Sequence, residues 1–377
     1  MRVLFILSAR PKYSGTTAYA ENLTSELRRF LTKSDTIVLS ETRKWRRELF
    51  ARIKLSEPDL IHVLYASPSD TFRIGFFLRH YNIPCAVTIH NIPPRESSVR
   101  CLYRWPRMHW AARNVRYFYS RIFLLTALKY FSILVVPNPD MKDELEAISK
   151  RTVHAIPLAV NPTERSSAST SDESLLRNYL KLQGRKPLMV TVGGFVFSKG
   201  VDRVLSVLPM LVKKYPNLTY IAAGAKRDQA YFRYLQERVQ TQGLSDYVLL
   251  LPDAEENVVR ALYTTCDVYV QPSYEEGFCL TVMQALLADR NVEKPFALVG
   301  SRTGEIPRMM ELAGMSELLF EAFSSPPALE RSLQLALATV TSGSSTRNGR
   351  QQIVSTYSWR RIAERTYTVY ECVAESK

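Results

Sequence analysis

The sequence predicts an α/β protein built from two doubly wound domains. Runs of apolar and β-branched residues alternate with helical patterns along the whole chain, which is typical of βαβ units and a parallel sheet. The 377 residues suit two domains of roughly 150–200 residues better than one large core. A polar segment rich in serine and threonine, residues 161–171, lies between the halves and has the composition of a linker.

The strand pattern is similar in the two halves of the chain. In the first half, strands are predicted near residues 2–7, 36–40, 60–65, 85–89, 133–136 and 153–156. In the second half, they are predicted near residues 187–192, 218–223, 247–251, 267–270 and 295–299. A last helix is predicted over residues 358–375, with one side formed by Trp359, Ile362, Thr366, Val369 and Val373.

Composition and cysteine content restrict the class of protein. The chain is 46% hydrophobic and 23% charged, which excludes disordered and fibrous classes. Its five cysteines are scattered and odd in number, which argues against a disulfide framework or a zinc site and fits a reducing cytoplasm. Residues 1–7 resemble a buried first strand rather than a secretory signal, and no apolar run reaches the roughly 18 residues of a membrane span. A cytoplasmic location is therefore expected.

The net charge of +14 is concentrated in the first half of the chain. Residues 1–160 hold 25 Lys and Arg against 13 Asp and Glu, whereas residues 161–377 hold 25 against 23. We therefore expect the first half to face an anionic partner.

The strongest candidate site is the segment 271–286, which follows a predicted strand, turns through Pro-Ser and Glu-Gly-Phe, and enters a helix. The N-terminus of a helix presents unpaired N–H groups and a partial positive charge, so it suits a diphosphate. Glu276 in the turn is placed to hold sugar hydroxyls, and Gln284 in the helix is placed to reach a ribose. The alternative is an ordinary strand–helix connection with exposed acidic residues.

Pro-Ser-x-x-Glu-Gly-Phe followed by a helix resembles the retaining glycosyltransferases of the group 1 family, which have the GT-B fold. The segment 192–200, which ends in Lys199-Gly200, resembles that family's Gly-Arg-x4-Lys-Gly loop. The resemblance implies two Rossmann-like domains facing each other across a cleft. It places an acceptor-binding domain at 1–161, a linker at 162–185, a nucleotide-sugar-binding domain at 186–355 and a helix that crosses back at 356–377.

The resemblance also implies roles for particular residues. Lys199 would grip the donor diphosphate and Glu276 would orient the donor sugar, while Gln284 occupies the position of the glutamate that binds ribose. Gly194 stands where the family has a second diphosphate-binding arginine, and Lys226 and Arg302 are candidates to replace that cation. The remaining predicted donor-binding residues are Gly15, Gly193, Gly194, Lys226, Gly277, Phe278, Cys279 and Leu280. A solvated loop lysine is the alternative interpretation of Lys199.

The first half contributes further matches to the same family. His90, in Thr88-Ile89-His90-Asn91, matches a histidine that contacts the donor sugar in the family, and His62 is similarly placed at a strand end. Gly15, in Ser14-Gly15-Thr16-Thr17, occupies the position of a glycine-rich turn near donor and acceptor. Residues 304–307 and 156–161 also resemble family segments.

Metal coordination is not expected in this protein. The sequence has no Asp-x-Asp motif, and its five histidines lack the spacing of metal ligands. The resemblance therefore implies metal-independent transfer of a hexose from GDP-mannose or a UDP-hexose, with no cofactor. Retention of configuration would follow from front-face attack by the acceptor hydroxyl.

Two basic segments with interleaved aromatic residues predict contact with an anionic membrane. Residues 41–55 place Trp45, Leu49 and Ile53 at helical spacing among Arg and Lys residues. Residues 95–129 hold eight Arg and Lys and one acid, together with seven aromatic residues. Such patterns suit an anionic bilayer and a lipid-linked acceptor. The alternative is a pair of amphipathic helices whose aromatic residues pack inward.

Two other functional classes remain open from the sequence. A non-catalytic nucleotide-sugar-binding or partner subunit is consistent with the departures at Gly194 and Gln284. A basic nucleic-acid binder is the remote alternative, although no recognised nucleic-acid motif accompanies the basic segments, and no nucleic-acid partner is expected.

Overall fold

The computed structural model describes most of the chain as two compact units. One unit comprises Met1–Val160 and Tyr357–Lys377, and the other comprises Asn161–Thr356. The described residues are 1–8, 15–39, 44–90, 92, 110–159, 184–288, 294–343 and 349–374, with the single residues 176, 178, 180 and 182. The predicted linker 161–171, residues 95–109, and the motif residues Ser14, Asn91 and Asn161 lie outside them.

The first unit contains a six-stranded parallel sheet. Its strands are β1 (Arg2–Ser8), β2 (Lys33–Leu39), β3 (Leu60–Tyr65), β4 (Cys85–Thr88), β5 (Ile133–Val136) and β6 (Val153–Ala155). They lie in the order β2-β1-β3-β4-β5-β6. Apolar side chains on successive strands are fully buried, among them Leu4, Ile61, Val87 and Leu134. Burial on both faces is what a parallel sheet covered by helices requires.

Helices connect these strands. They are α1 (Gly15–Leu27), α2 (Trp45–Ser56), α3 (Pro68–Leu78), α4 (Trp110–Leu128) and α5 (Pro139–Ser149). Two of them begin with a strong sequence signal. At α5, the Asn138 side chain accepts a hydrogen bond from the Met141 N–H at 2.9 Å, and Pro139 occupies the first helical turn. At α3, Ser67 caps the Asp70 N–H in the same way.

The second unit also contains a six-stranded parallel sheet. Its strands are β7 (Leu188–Val192), β8 (Thr219–Gly224), β9 (Val248–Pro252), β10 (Val268–Gln271), β11 (Ala297–Arg302) and β12 (Leu319–Glu321). They lie in the order β12-β11-β10-β7-β8-β9. The strands from β7 to β9 extend the sheet to one side and those from β10 to β12 extend it to the other, so the strand order reverses between β7 and β10. Open α/β sheets bind ligands beyond the carboxyl ends of the strands at such a reversal. The α/β fold class with two Rossmann-like units is therefore confirmed.

Helices connect the strands of this unit as well. They are α6 (Val201–Lys214), α7 (Gln229–Thr241), α8 (Glu256–Thr265), α9 (Leu280–Leu287), α10 (Ile306–Leu312), α11 (Pro326–Thr341) and α12 (Arg350–Thr356). A short 3₁₀ turn, Phe197–Lys199, precedes α6. The helix predicted after the Glu-Gly-Phe turn is confirmed by α9, which begins at Leu280.

The C-terminal helix α13 (Trp359–Ala374) packs in the first unit. Its buried side is formed by Trp359, Ile362, Ala363, Thr366 and Tyr370. The predicted side was wrong at Val369, which is only half-buried because the four-residue step from Thr366 brings Tyr370 onto the sheet. The side chain of Val373 lies outside the described residues.

His62 does not face a cleft, which corrects the sequence interpretation. The side chain is fully buried, Nδ1 shares a hydrogen bond with the Tyr370 hydroxyl, and Nε2 lies 2.8 Å from Thr88 Oγ1. Both ring nitrogens are therefore used to join α13 to β3 and β4. Burial, with a smaller contribution from the charge of His90, lowers the pKa of His62 to about 3.

This lowered pKa predicts acid sensitivity. Between pH 6.5 and about 3 the unfolded state holds a proton on residue 62 that the folded state lacks, so lowering the pH through this range decreases stability. We expect a loss on the order of a few kcal/mol from this residue. Urea denaturation at pH 7 and pH 4 should show a steeper loss for wild type than for His62→Gln. Equal losses in the two proteins would contradict the prediction.

The helix predicted within residues 41–55 is present as α2, but its apolar side is not available to a membrane. Trp45, Leu49 and Ile53 are at most 5% exposed and belong to the core of the first unit. Trp45, Leu49 and Ile53 are therefore not membrane anchors, because the face that they form covers the unit's own sheet, whereas Phe50 and Leu55 of the same segment are exposed.

Candidate functional site

The two strongest sequence motifs lie beside each other in the second unit. The loop of residues 193–200 follows β7, and the loop of residues 272–279 follows β10. Since β7 and β10 are the neighbouring strands at which the sheet order reverses, both loops leave the sheet at the position where open α/β sheets generally bind ligands. The Tyr274 N–H donates to the Ser198 carbonyl at 2.8 Å, which joins the two loops directly.

Lys199 and Glu276 form an ion pair between these loops. The lysine Nζ lies 2.7 Å from each carboxylate oxygen, so the contact is bidentate. The lysine side chain is 27% exposed and the glutamate side chain 6% exposed. Because both groups are largely removed from water, each needs the other, or a ligand in its place, to balance its charge.

The Glu276 carboxylate is held in place by neutral donors that the sequence analysis did not identify. Oε1 accepts hydrogen bonds from Ser273 Oγ at 2.6 Å and from Gln271 Nε2 at 3.1 Å. The Glu276 N–H donates to Thr303 Oγ1 at 3.2 Å. Gln271 and Ser273 lie inside the motif, so their polar side chains at a buried strand end were the available signal. Thr303 is distant in sequence and gave none.

Lys199 stays protonated at neutral pH. Burial lowers its pKa, but the carboxylate of Glu276 raises it by more through its charge and its hydrogen bond, so the net pKa lies above the usual value. The ammonium therefore keeps its charge, which Glu276 balances until another anion takes the place of that carboxylate.

Two glycines allow the site loops to pack closely. Gly200 has φ +69°, and a Cβ there would lie 2.1 Å from the Pro272 carbonyl oxygen. Gly304 has φ +58°, and a Cβ there would lie within 2.7 Å of the carbonyl oxygens of Glu276 and Gly277. Only glycine combines this backbone conformation with such close backbone contact. Arg203, buried on α6, also holds the turn by donating to the Pro272 carbonyl at 3.1 Å.

The N-terminus of α9 lies at the end of the second loop. Cys279, the residue before the helix, has a left-handed conformation with φ 74°, and no side chain caps the helix there. A non-glycine residue in this region is strained, and such strain often occurs at functional sites. Burial raises the pKa of the Cys279 thiol to about 12, so the thiol is protonated and not nucleophilic at neutral pH.

The other predicted donor-binding residues of this unit lie on α9, in the loop after β8 and in the two site loops. Gln284 is exposed on α9, and its Oε1 accepts a hydrogen bond from the Tyr263 hydroxyl at 3.1 Å. The Lys226 ammonium lies 5.6 Å from the centre of the Phe232 ring. Half-buried Gly193, Gly194 and Gly277, buried Phe278 and half-buried Leu280 lie in the two loops or at the start of α9.

Arg302, the other cation considered for the missing arginine, is committed elsewhere. Its Nε lies 3.3 Å from Glu321 at the surface, between the ends of β11 and β12. Arg302 therefore pairs with Glu321 instead of replacing the family's arginine.

The first unit holds the remaining predicted site residues. His90 follows β4 and is half-buried, and its Nε2 donates to the Leu64 carbonyl at 2.8 Å. The Tyr19 ring packs edge-on against it with 5.1 Å between ring centroids. Gly15 is the first residue of α1, the helix that carries Tyr19. His90 therefore packs against α1 through Tyr19, and Gly15 begins that same helix.

Within the residues that the structure describes, no group of three or more His, Cys, Asp or Glu side chains is arranged to hold a metal ion. None of the described helices is long and apolar enough to span a bilayer.

Each half of the chain matches a glycosyltransferase family model. Residues 172–292 match the model described as glycosyl transferases group 1. Residues 10–164 match the model described as glycosyltransferase family 4. The two matches together span most of the chain and include both site loops and His90.

Individual relatives agree with these models. The chain is 28% identical over 230 residues to one subunit of the phosphatidylinositol N-acetylglucosaminyltransferase of Homo sapiens, a match that covers 60% of this chain but 43% of that protein. The fold is similar to sucrose-phosphate synthase from Thermosynechococcus elongatus, with a TM-score of 0.74, 18% identity and full coverage of both chains. It is also similar to Anabaena HepE solved with UDP-glucose, with a TM-score of 0.71, 15% identity and full coverage of both chains.

Proposed function

Because the chain belongs to the group 1 glycosyltransferase family, with the GT-B fold, we propose that it transfers a hexose from a nucleoside-diphosphate sugar to a hydroxyl acceptor. The observation that carries the proposal is the Lys199–Glu276 ion pair, which lies at the reversal point of the second sheet. A cation and a hydroxyl-binding carboxylate side by side match the two ends of a sugar diphosphate.

In this proposal the donor replaces the ion pair with two better-matched contacts. The diphosphate binds Lys199 and the N-terminus of α9, and the sugar hydroxyls bind Glu276. Since Ser273 and Gln271 already hold the carboxylate, Glu276 stays in place when the lysine turns to the phosphate. Gln284 binds the ribose, and His90 contacts the donor sugar, as the family resemblance implies.

The leaving group defines what the site contributes to the reaction. As the glycosidic bond breaks, negative charge develops on the departing diphosphate, and Lys199 together with the α9 N-terminus stabilises it. We propose retention of anomeric configuration with front-face attack by the acceptor hydroxyl, without a metal ion or cofactor. The buried, protonated Cys279 thiol is not suited to act as a covalent nucleophile.

We propose a UDP-hexose as the first donor to test and GDP-mannose as the second. The named activity of the human relative is N-acetylglucosaminyl transfer, and the Anabaena neighbour was solved with UDP-glucose. The second of these names favours the uridine nucleotide, whereas the proposed contacts with diphosphate, sugar and ribose do not select a base.

For the acceptor we propose a lipid-linked molecule at an anionic membrane surface. The human relative's name contains phosphatidylinositol, and one face of α4 exposes Tyr119, Ile122 and Phe123 at three- and four-residue spacing. Phe76 on α3 is also exposed, and the Arg79 guanidinium lies 3.5 Å from its ring centre. Exposed apolar residues beside basic ones suit the interface of an anionic bilayer.

This membrane proposal predicts the outcome of a vesicle experiment. The double variant Tyr119→Ser/Ile122→Ser should bind phosphatidylserine-containing vesicles about tenfold more weakly than wild type, because it loses apolar area that enters the bilayer. Co-sedimentation measures the bound fraction. The matched control is Met210→Ser/Leu335→Ser, which removes two exposed apolar side chains from the second unit. Equal binding by all three proteins would contradict the proposal.

The donor proposal is tested by a thermal-shift panel of UDP, GDP, ADP and their common sugar conjugates. A ligand that binds the folded state raises the melting temperature by mass action. We expect one nucleotide family to stabilise wild type and the effect to be lost in Lys199→Ala. If millimolar ligand shifts nothing, the proposal of a nucleotide-sugar donor is wrong and a non-catalytic role takes its place.

A further inference from the structure

The loop after β8, residues 225–228, is hydrogen-bonded to the site loop after β7. The Phe195 N–H donates to the Ala225 carbonyl at 2.8 Å, and the Asp228 N–H donates to the Phe195 carbonyl at 3.1 Å. The Gly193 N–H also donates to the Ala223 carbonyl at 2.9 Å. The first two bonds fix the backbone of the loop after β8 against the Gly193–Phe195 turn, and the third joins that turn to the end of β8.

This arrangement places the side chain of Arg227 over Gly194. A Cβ on Gly194 would lie 3.2 Å from Arg227 Cδ and 3.4 Å from Arg227 Nε. On the neighbouring residue, a Cβ on Gly193 would lie 3.7 Å from Lys199 Cδ. The two cationic side chains therefore lie along the same two-glycine turn, and Arg227 occupies space that a side chain at 194 would need.

The charges around this turn are not balanced. Glu276 is engaged by Lys199, whereas the Arg227 guanidinium forms no ion pair within the described part of the chain and is exposed. Arg227 is also close enough to act on Lys199: beside the larger influences of burial and Glu276, its charge lowers the lysine pKa. Two cations at such close range favour a shared anion.

We propose that Arg227 supplies the second cation of the diphosphate site, in place of the arginine that the family motif has at position 194. The inference rests on the proposed function, since the diphosphate is that of the nucleotide-sugar donor. A guanidinium binds two phosphate oxygens at once, so Arg227 and Lys199 together neutralise a diphosphate from two sides. The arginine that the family has at position 194 is then replaced by Arg227 on a neighbouring loop.

The two cations suggested by the sequence have other contacts. Lys226 directs its ammonium to the Phe232 ring, and Arg302 pairs with Glu321. The proposal also predicts that Gly194→Arg in the wild-type chain gains no affinity, because its Cβ would press on the Arg227 side chain. Gly194 is not among the described glycines with a left-handed φ, so its backbone accepts an arginine once Arg227 is removed.

The test is calorimetric titration of five proteins with UDP and with GDP: wild type, Lys199→Ala, Arg227→Ala, Arg227→Ala/Gly194→Arg and Arg233→Ala. Arg233 is an exposed arginine on α7 and serves as the control for loss of one positive charge. We expect Arg227→Ala to weaken diphosphate binding about tenfold or more and Arg233→Ala to leave it unchanged. Adding Gly194→Arg should restore most of the lost affinity.

The other outcomes separate the two claims. If Lys199→Ala loses affinity while Arg227→Ala binds as tightly as Arg233→Ala, the assignment of Arg227 is wrong and the proposed function stands. A double variant that binds no better than Arg227→Ala would also overturn it, because positions 194 and 227 would not share a phosphate. If neither UDP nor GDP binds wild type, the proposed function fails and the inference with it.

Discussion

Replacing Lys199 with alanine should lower sugar-transfer turnover by about 100-fold or more, the largest effect on activity that we expect from a single side chain. The variant loses the ammonium that stabilises the departing diphosphate and leaves the nearly buried Glu276 carboxylate without its cation. The measurement is release of UDP or GDP from UDP-glucose or GDP-mannose, whichever nucleotide stabilises the protein.

The control for this prediction is Lys213→Ala, which removes an exposed lysine from α6. Its turnover should equal that of wild type. Because the pKa of Lys199 is raised, the lysine remains charged between about pH 6 and 9, and donor affinity should not fall in that range through loss of this charge. If Lys199→Ala turns over as fast as Lys213→Ala, the role assigned to Lys199 is wrong.

Gly200→Ala should cause the largest loss of stability among the changes considered. The substitution forces a left-handed φ on alanine and places its Cβ 2.1 Å from the Pro272 carbonyl oxygen. Backbone strain and overpacking together are expected to cost about 2–4 kcal/mol in the second unit. Nucleotide binding should also weaken, because Pro272 begins the loop that carries Glu276. Urea denaturation measures the change in free energy of unfolding.

A matched control separates the two contributions to that loss. Gly243 has a similar φ of +65°, but a Cβ there would meet nothing within 4 Å. Gly243→Ala should therefore cost only the conformational part, about 1 kcal/mol. If Gly200→Ala is no more destabilising than Gly243→Ala, the close contact with Pro272 is not a constraint on the site.

Most of the strands could be predicted from the sequence because buried parallel strands are continuous apolar runs. All eleven predicted strands are present, from β1 to β11. The twelfth, Leu319–Glu321, was missed; like β6, it has only three residues and one buried side chain, and so short a strand shows no clear period. The order of the strands in the second sheet was also beyond the sequence, and it is this order that brings the loops after β7 and β10 together.

The two principal residues of the candidate site could be identified from motifs, but their geometry could not. Lys199 and Glu276 lie 77 residues apart, and their direct contact depends on the pairing of two strands. Arg227 gave no signal because nothing in the sequence shows that the loop after β8 folds over Gly194. The surface that the apolar face of α2 contacts was predicted wrongly for a related reason. Helical spacing identifies an apolar face but does not say whether that face covers a sheet or a membrane.

The central claim is that the Lys199 site holds the diphosphate of a nucleotide-sugar donor. The most direct measurement is calorimetric titration of wild type and Lys199→Ala with uridine, UMP and UDP, and with the guanosine series in parallel. We predict that for one base the affinity of wild type rises by about tenfold or more from nucleoside to diphosphate, and that this rise disappears in Lys199→Ala. If the variant shows the same rise as wild type, the diphosphate binds elsewhere and the claim is wrong.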